Sequence, residues 1–475
     1  MNQRTLDLLF AILLAISQII AVVFYGIYFR HVTPKNPAIV TDPTYASSTG
    51  VYTYFQDIHI MIYVGFGFLL TSFHKFRLTS LTMCFWVSAI AVQYYFLFNA
   101  MWIAIFKGES VKFNIGGTKL VAGEVSAGAI LIALCAIIGK TNNFQFLVIT
   151  ILGSLLYTLN EEIVLVQLKA RDVGGAMIIH AFGAFYGIGI SSVMRYANAK
   201  GSKNFVETQD SLSMAMVGTL FLWCFWPSFN AILANSADEV HIAVLNTYFS
   251  LIGSVACAYV TSILLGHGKF TMSQILNATL AGGVVMGSSA DILHDGWVAY
   301  LVGYLTGVIS CLLFAYAPKL FEKLNIQDIA GVFNLHGVPG LIGGLTSAIF
   351  RAVYIDDKGG KQVAGTFISV GISLTGGIVV GFVIRAFHSY ESPNDYFNDK
   401  TNVVLEEEVV AVLSKYGAEH GTSTTQNTHH SGHIKVQPAL FTNNEQNNKL
   451  HNEKEEKNGL ETDRNPINTN NEPYL

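Results

Sequence analysis

Charge is what this chain has least of. Only 13% of its 475 residues are Asp, Glu, Lys or Arg, against about a quarter in soluble domains. The net charge of −4 is uninformative about partners, and no basic patch interleaved with aromatics points to nucleic acid. Cysteine is scarce too. Cys84, Cys135, Cys224, Cys257 and Cys311 stand singly in apolar runs with no C-x-x-C pair, so all five are expected to be buried small hydrophobes rather than disulfide partners or metal ligands. No catalytic constellation is read, and no cofactor or metal is expected.

What is present is apolar sequence. Apolar residues make up 51% of the chain, and the mean hydropathy is +0.43 despite a polar C-terminus. The first run, about 8–29, exceeds a signal peptide's apolar core, which is about 7–15 residues, and reads as an uncleaved helix. Further runs of spanning length lie at about 58–73, 79–105, 121–139, 146–168, 173–194, 211–232, 240–265, 274–289, 295–317, 330–350 and 363–387. The fold class is therefore an all-α polytopic membrane protein of about twelve helices. Pro34, Pro37 and Pro43 mark a long irregular link at about 30–56. The one glycosylation sequon, at Asn277, lies inside an apolar run and is not expected to be used. Beyond Ser389 the composition turns to Asn, Glu, Lys, Thr and His. Residues 1–390 thus read as the membrane domain and 391–475 as a mostly disordered tail. A short surface helix is expected at about 402–416. His429 and His430 read as part of the disordered tail rather than as metal ligands. Lys and Arg in the links show little bias between sides. A polar tail is more easily left inside than translocated, and an even number of helices then puts both termini in the cytoplasm.

Two segments repeat. "RDVGGAMIIHAFGAFYG" at 171–187 and "QDIAGVFNLHGVPGLIGG" at 327–344 each carry Asp, a nearby Gly, and His eight residues after the Asp. Weak internal symmetry of this kind marks transporter repeats, whose sites lie near mid-membrane. Asp172 and Asp328 open helices, where they cap free N–H groups and bias the site electrostatically toward cations. Eight helical residues span about 12 Å, which puts His180 and His336 deep in the bilayer. An ionisable residue there is functional by default. Two neutral imidazoles can share one N–H, leaving one donor and one acceptor for a small polar molecule. Glu161 and Glu162 sit in the apolar run "YTLNEEIVLVQL"; they either face a vestibule or reach water at a helix end. Glu124 lines an entrance or touches headgroups.

The motifs "DxGGxMxIHxFGAxxG" at 172–187, "LFLWxxWPSFN" at 220–230, "NATLAGG" at 277–283 and "IQDxxGxxNLHGxPGxxGG" at 326–344 together resemble the Rhesus branch of the ammonium transporter family, from the first helix to about residue 390. The resemblance implies a homotrimer in the plasma membrane or an endomembrane such as a vacuole, with one pore per subunit. Each subunit would hold two inverted five-helix repeats, an extra N-terminal helix and a further C-terminal one. It implies pore histidines at His180 and His336, pore-structuring aspartates at Asp172 and Asp328, and a vestibule glutamate at Glu161. Phe229 matches one of two gate phenylalanines. The other falls at Val125, a smaller side chain that would widen the constriction, and Glu124 matches the acidic residue before it. Ammonium would be recruited at the vestibule, deprotonated, and passed as ammonia, and carbon dioxide is a further candidate cargo. Potassium has no proton to give up and meets the full cost of desolvation. Haem held by the two histidines and a non-conducting structural role are the competing readings.

Overall fold

In lipid, a backbone satisfies its own N–H and C=O groups only in a helix or a closed barrel, and the apolar runs of this chain fold as helices. The computed structural model describes residues 2–31, 48–108, 113–194, 199, 201–355, 358–390 and 392–405. Among them are twelve apolar helical segments. They are α1 (Gln3–Tyr28), α2 (Tyr52–Ser72), α3 (His74–Lys107), α4 (Gly117–Cys135), α5 (Asn143–Gln167), α6 (Ala176–Met194), α7 (Gln209–Ala231), α8 (Ala237–Leu265), α9 (Met272–Met286), α10 (Gly296–Lys323), α11 (333–354) and α12 (Gly360–Arg385). All but α9 and α11 are individually long and apolar enough to span. α9 is interrupted between Ala278 and Ala281. A two-stranded parallel ribbon, β1 (Phe29–His31) with β2 (Phe113–Ile115), joins the end of α1 to the α3–α4 link.

The repeat signalled by the two histidines is a repeat of five helices. His180 lies on α6 and His336 on α11, and short links make successive helices alternate in direction. An offset of five is odd, so α2–α6 and α7–α11 run in opposite senses, with α1 and α12 outside the repeat. α6 and α12 cross closely because glycines meet there. A methyl group on Gly189 would stand 2.6 Å from the Leu374 carbonyl oxygen, so close backbone approach requires glycine. Four of the five cysteines are buried as expected, but Cys224 is exposed on α7.

The ordered unit continues past the composition change at 390. Residues 392–405 form a strap beneath the bundle. Phe397 is fully buried, with its ring 5.0 Å from both Phe73 and Phe205. The Asp399 carboxylate accepts the backbone N–H groups of Leu78 (3.2 Å) and Thr79 (2.7 Å) at the start of α3, satisfying donors that a helix N-terminus otherwise leaves free. Residues 402–405 are not helical; the rest of the expected 402–416 helix, with His429 and His430, lies outside the described residues. Phe397→Ala is expected to lower stability by about 3–5 kcal/mol, the usual cost of emptying a buried phenyl site, measured as an earlier thermal transition in detergent.

Candidate functional site

Each histidine-bearing helix starts in the same way. After α5 the chain leaves the helix, passes Asp172, turns through Gly175 at φ +69, and re-enters a helix at Ala176. In the second repeat it passes Asp328 and turns through Gly331 at φ +76. Both glycines stand three residues after the aspartate, at left-handed positions that L side chains disfavour. The Asp172 carboxylate accepts from the N–H groups of Met177 (2.9 Å) and Ile178 (2.8 Å) and from the Ser288 hydroxyl (2.5 Å). The Asp328 carboxylate accepts from Val332 and Phe333, both at 2.9 Å. The aspartates are therefore helix caps, one at each end of the site. His180 is nearer its helix start than eight helical residues would put it. Only the step from Ala176 to His180 is helical, about 6 Å of rise.

At the centre, His180 Nδ1 and His336 Nδ1 are 3.1 Å apart, with the rings nearly parallel at 15°. That separation suits one shared proton. Both histidines are buried. Trp226 stacks on His180 at 5.5 Å, and Phe229 lies 5.8 Å from it. Phe66 stacks on His336 at 6.5 Å. The His180 Nε2 atom is buried with no hydrogen-bond partner among the described residues.

A cavity of about 60 Å³ reaches His336 past Phe66, Leu70, Phe73, Leu276 and Leu335. A water-sized molecule needs about 10–15 Å³ of such space, so the volume is enough for several. A larger cavity, about 600 Å³, holds Asp328, Asn334 and Glu207, and Ser273 donates to the Glu207 carboxylate at 2.7 Å.

The remaining acids singled out from the sequence lie outside these two cavities. Glu161 accepts from Tyr95 (3.2 Å) and Asn99 (3.0 Å), and Lys119 lies 5.5 Å from the Tyr95 ring. Glu162 is buried and bonded by Gln167 at 2.7 Å; of the two glutamates, only Glu161 is partly exposed. Glu124 is buried and bonded to His59 at 2.9 Å. Val125 is buried in the apolar cluster that also includes Trp226 and Phe229.

The profile of the Ammonium Transporter Family matches residues 43–389. The chain belongs to the ammonium transporter family. Its relatives include Ammonium transporter Rh type A of Bos taurus, 35% identical over 80% of this chain and 92% of the relative, and Rh type B of Danio rerio, 34% identical over 80% and 89%. Among solved structures, the Nitrosomonas europaea Rh50 channel is 28% identical at a TM-score of 0.69, covering 79% of this chain and 99% of that one. Saccharomyces cerevisiae Mep2, at 17% identity and a TM-score of 0.61 over 76% of this chain and 91% of that one, shares the fold.

The family motifs meet in space. Asn230 of "WPSFN" donates to the Gly283 carbonyl of "NATLAGG" at 3.0 Å, while Gly174 N–H donates to the Gly287 carbonyl at 2.6 Å. Beside them Arg171 bonds the buried Asp291 at 2.8 Å and Glu239 at 2.5 Å, which anchors the turn before Asp172. Sequence reasoning missed Trp226, Phe66 and His59. Aromatic partners carry no signal among so many aromatics. His59 did carry one: it is ionisable and stands within a spanning run.

Proposed function

We propose that this member of the ammonium transporter family moves ammonium nitrogen across a membrane as ammonia, without net charge. The observation that carries the reading is the buried Nδ1–Nδ1 pair of His180 and His336, with His336 facing a small cavity whose wall is mostly apolar and also holds Glu207, Ser273 and Asn277. A neutral imidazole pair offers hydrogen bonds to a neutral guest without stabilising a charge. Moving an unpaired ion into such a lumen costs tens of kcal/mol by Born solvation, whereas ammonia bears no charge and is only partly dehydrated. Selection against potassium follows, because only ammonium can shed its charge.

In this reading Glu161 and Glu124 recruit ammonium at the outer vestibule, and Phe229 with Val125 forms the constriction above His180. Asp172 and Asp328 hold the two helix starts that aim the rings. The chain works as a homotrimer with one pore per subunit. Both termini and the polar tail face the cytoplasm, whether in the plasma membrane or in an endomembrane.

The test is stopped-flow internal pH in proteoliposomes given an inward ammonium gradient, with membrane voltage recorded in parallel. Fast alkalinisation without current is expected. Fast uptake with current would mean that the proton crosses too, and a rate no higher than that of empty liposomes would remove the transport reading.

A further inference from the structure

If ammonia enters and the proton stays behind, some group must take that proton and return it to the outer water. Few groups at that mouth can. Asp172 has both carboxylate oxygens engaged, by Met177, Ile178 and Ser288. Glu161 has both engaged, by Tyr95 and Asn99. Glu124 differs. Its Oε1 is bonded to His59 Nδ1 at 2.9 Å, and its Oε2 is buried with no hydrogen-bond partner among the described residues. The Glu124 side chain is 6% exposed and that of His59 is 48% exposed. The pair thus links a buried carboxylate oxygen, in the residue before Val125, to a half-exposed imidazole ring.

The ring is held in place for this. Phe55 stacks on it at 5.3 Å and Tyr63 lies at 4.6 Å. Two residues earlier on α2, Asp57 accepts the Ser228 hydroxyl at 2.6 Å, tying α2 to α7 beside Phe229. Among the described residues, Tyr63 on α2 faces both Glu124 and Cys84 of α3, Asp57 stands two residues from His59, and α7 contributes the uncharged Ser228.

We propose that His59 and Glu124 form the proton-return pair of the transport cycle, a role that rests on the ammonia reading above. Ammonium donates an N–H to Glu124 Oε2. Its proton passes to that oxygen, and the freed ammonia moves on toward His180. As it does so, a protonated His59 releases the proton on Nε2 to the outer water. One proton enters the pair and one leaves, so the pair stays neutral overall. Transfer of the carboxyl proton back to the ring through vestibule water resets it. The sum is one external ammonium giving one ammonia inside and one proton outside.

The test uses the full chain in proteoliposomes, with wild type, His59→Gln and His59→Ala compared at several outer pH values. Gln can still donate to Glu124 Oε1 but carries no exchangeable charge. His59→Gln is expected to elute like wild type from size exclusion, to conduct at least about tenfold more slowly, the low end of a general acid–base contribution, and to lose its dependence on outer pH. Imidazole added outside is expected to restore His59→Ala, measured against empty vesicles given the same imidazole. A His59→Gln rate and pH profile equal to wild type would overturn the proposal alone, as would a slow His59→Ala that imidazole leaves unchanged. A wild type no faster than empty vesicles would remove the transport reading and this one together.

Discussion

His336→Ala is expected to leave an assembled protein that has lost selective conduction. The ring contributes hydrogen bonds to the guest and fills the lumen beside His180. Losing guest hydrogen bonds worth about 2 kcal/mol slows transit by about thirtyfold. The emptied space borders the cavity lined by Phe66 and Leu335 and has room for additional water. A wetted lumen lowers the desolvation barrier that excludes ions. Electroneutral alkalinisation should therefore fall while an ammonium or potassium current appears, both read in one proteoliposome experiment with voltage recording. Size exclusion of the mutant distinguishes this from collapse. An unfolded mutant would mean that the pair is structural.

The larger stability effect is expected at Asp172. Asp172→Ala strands two backbone N–H groups and the Ser288 hydroxyl in a site where Asp172 itself is buried. Unsatisfied buried donors cost about 1–3 kcal/mol each, so a loss of about 4 kcal/mol is expected, enough to unfold a marginal protein. Asp328→Ala should cost less, because Asp328 is only half-buried where Asp172 is buried. Thermal challenge followed by size exclusion ranks the two. Equal losses would mean that Ser288 and burial contribute nothing at Asp172.

Lipid makes part of this protein unusually legible. A histidine in an apolar run stands out against its neighbours, so His180 and His336 could be named from spacing alone, and their common offset marked the repeat. Asp172 and Asp328 could be named as caps because short carboxylates before an apolar run satisfy helix N-termini. The details that failed depend on backbone turns. Gly175 and Gly331 take left-handed conformations, so the helices begin after the aspartates and the histidines lie closer to the caps than a continuous helix would put them. The strap at 392–405 was read as tail because its hold is tertiary: Phe397 finds Phe73 and Phe205, and Asp399 finds α3, all distant in sequence.

The sequence by itself determined the membrane class, about twelve helices and the paired Asp-Gly-His motif at a common offset, because each follows from local hydropathy or from ionisable groups placed in lipid, while the five-helix inverted repeat was implied only by the family resemblance. Only the tertiary structure decided that the two histidines meet through their Nδ1 atoms, that Trp226 and Phe66 stack on their rings, and that Glu124 keeps one oxygen vacant beside His59. Those facts depend on how helices from two opposed repeats pack against each other, and side-chain direction across such a contact is not written in the order of residues along either helix.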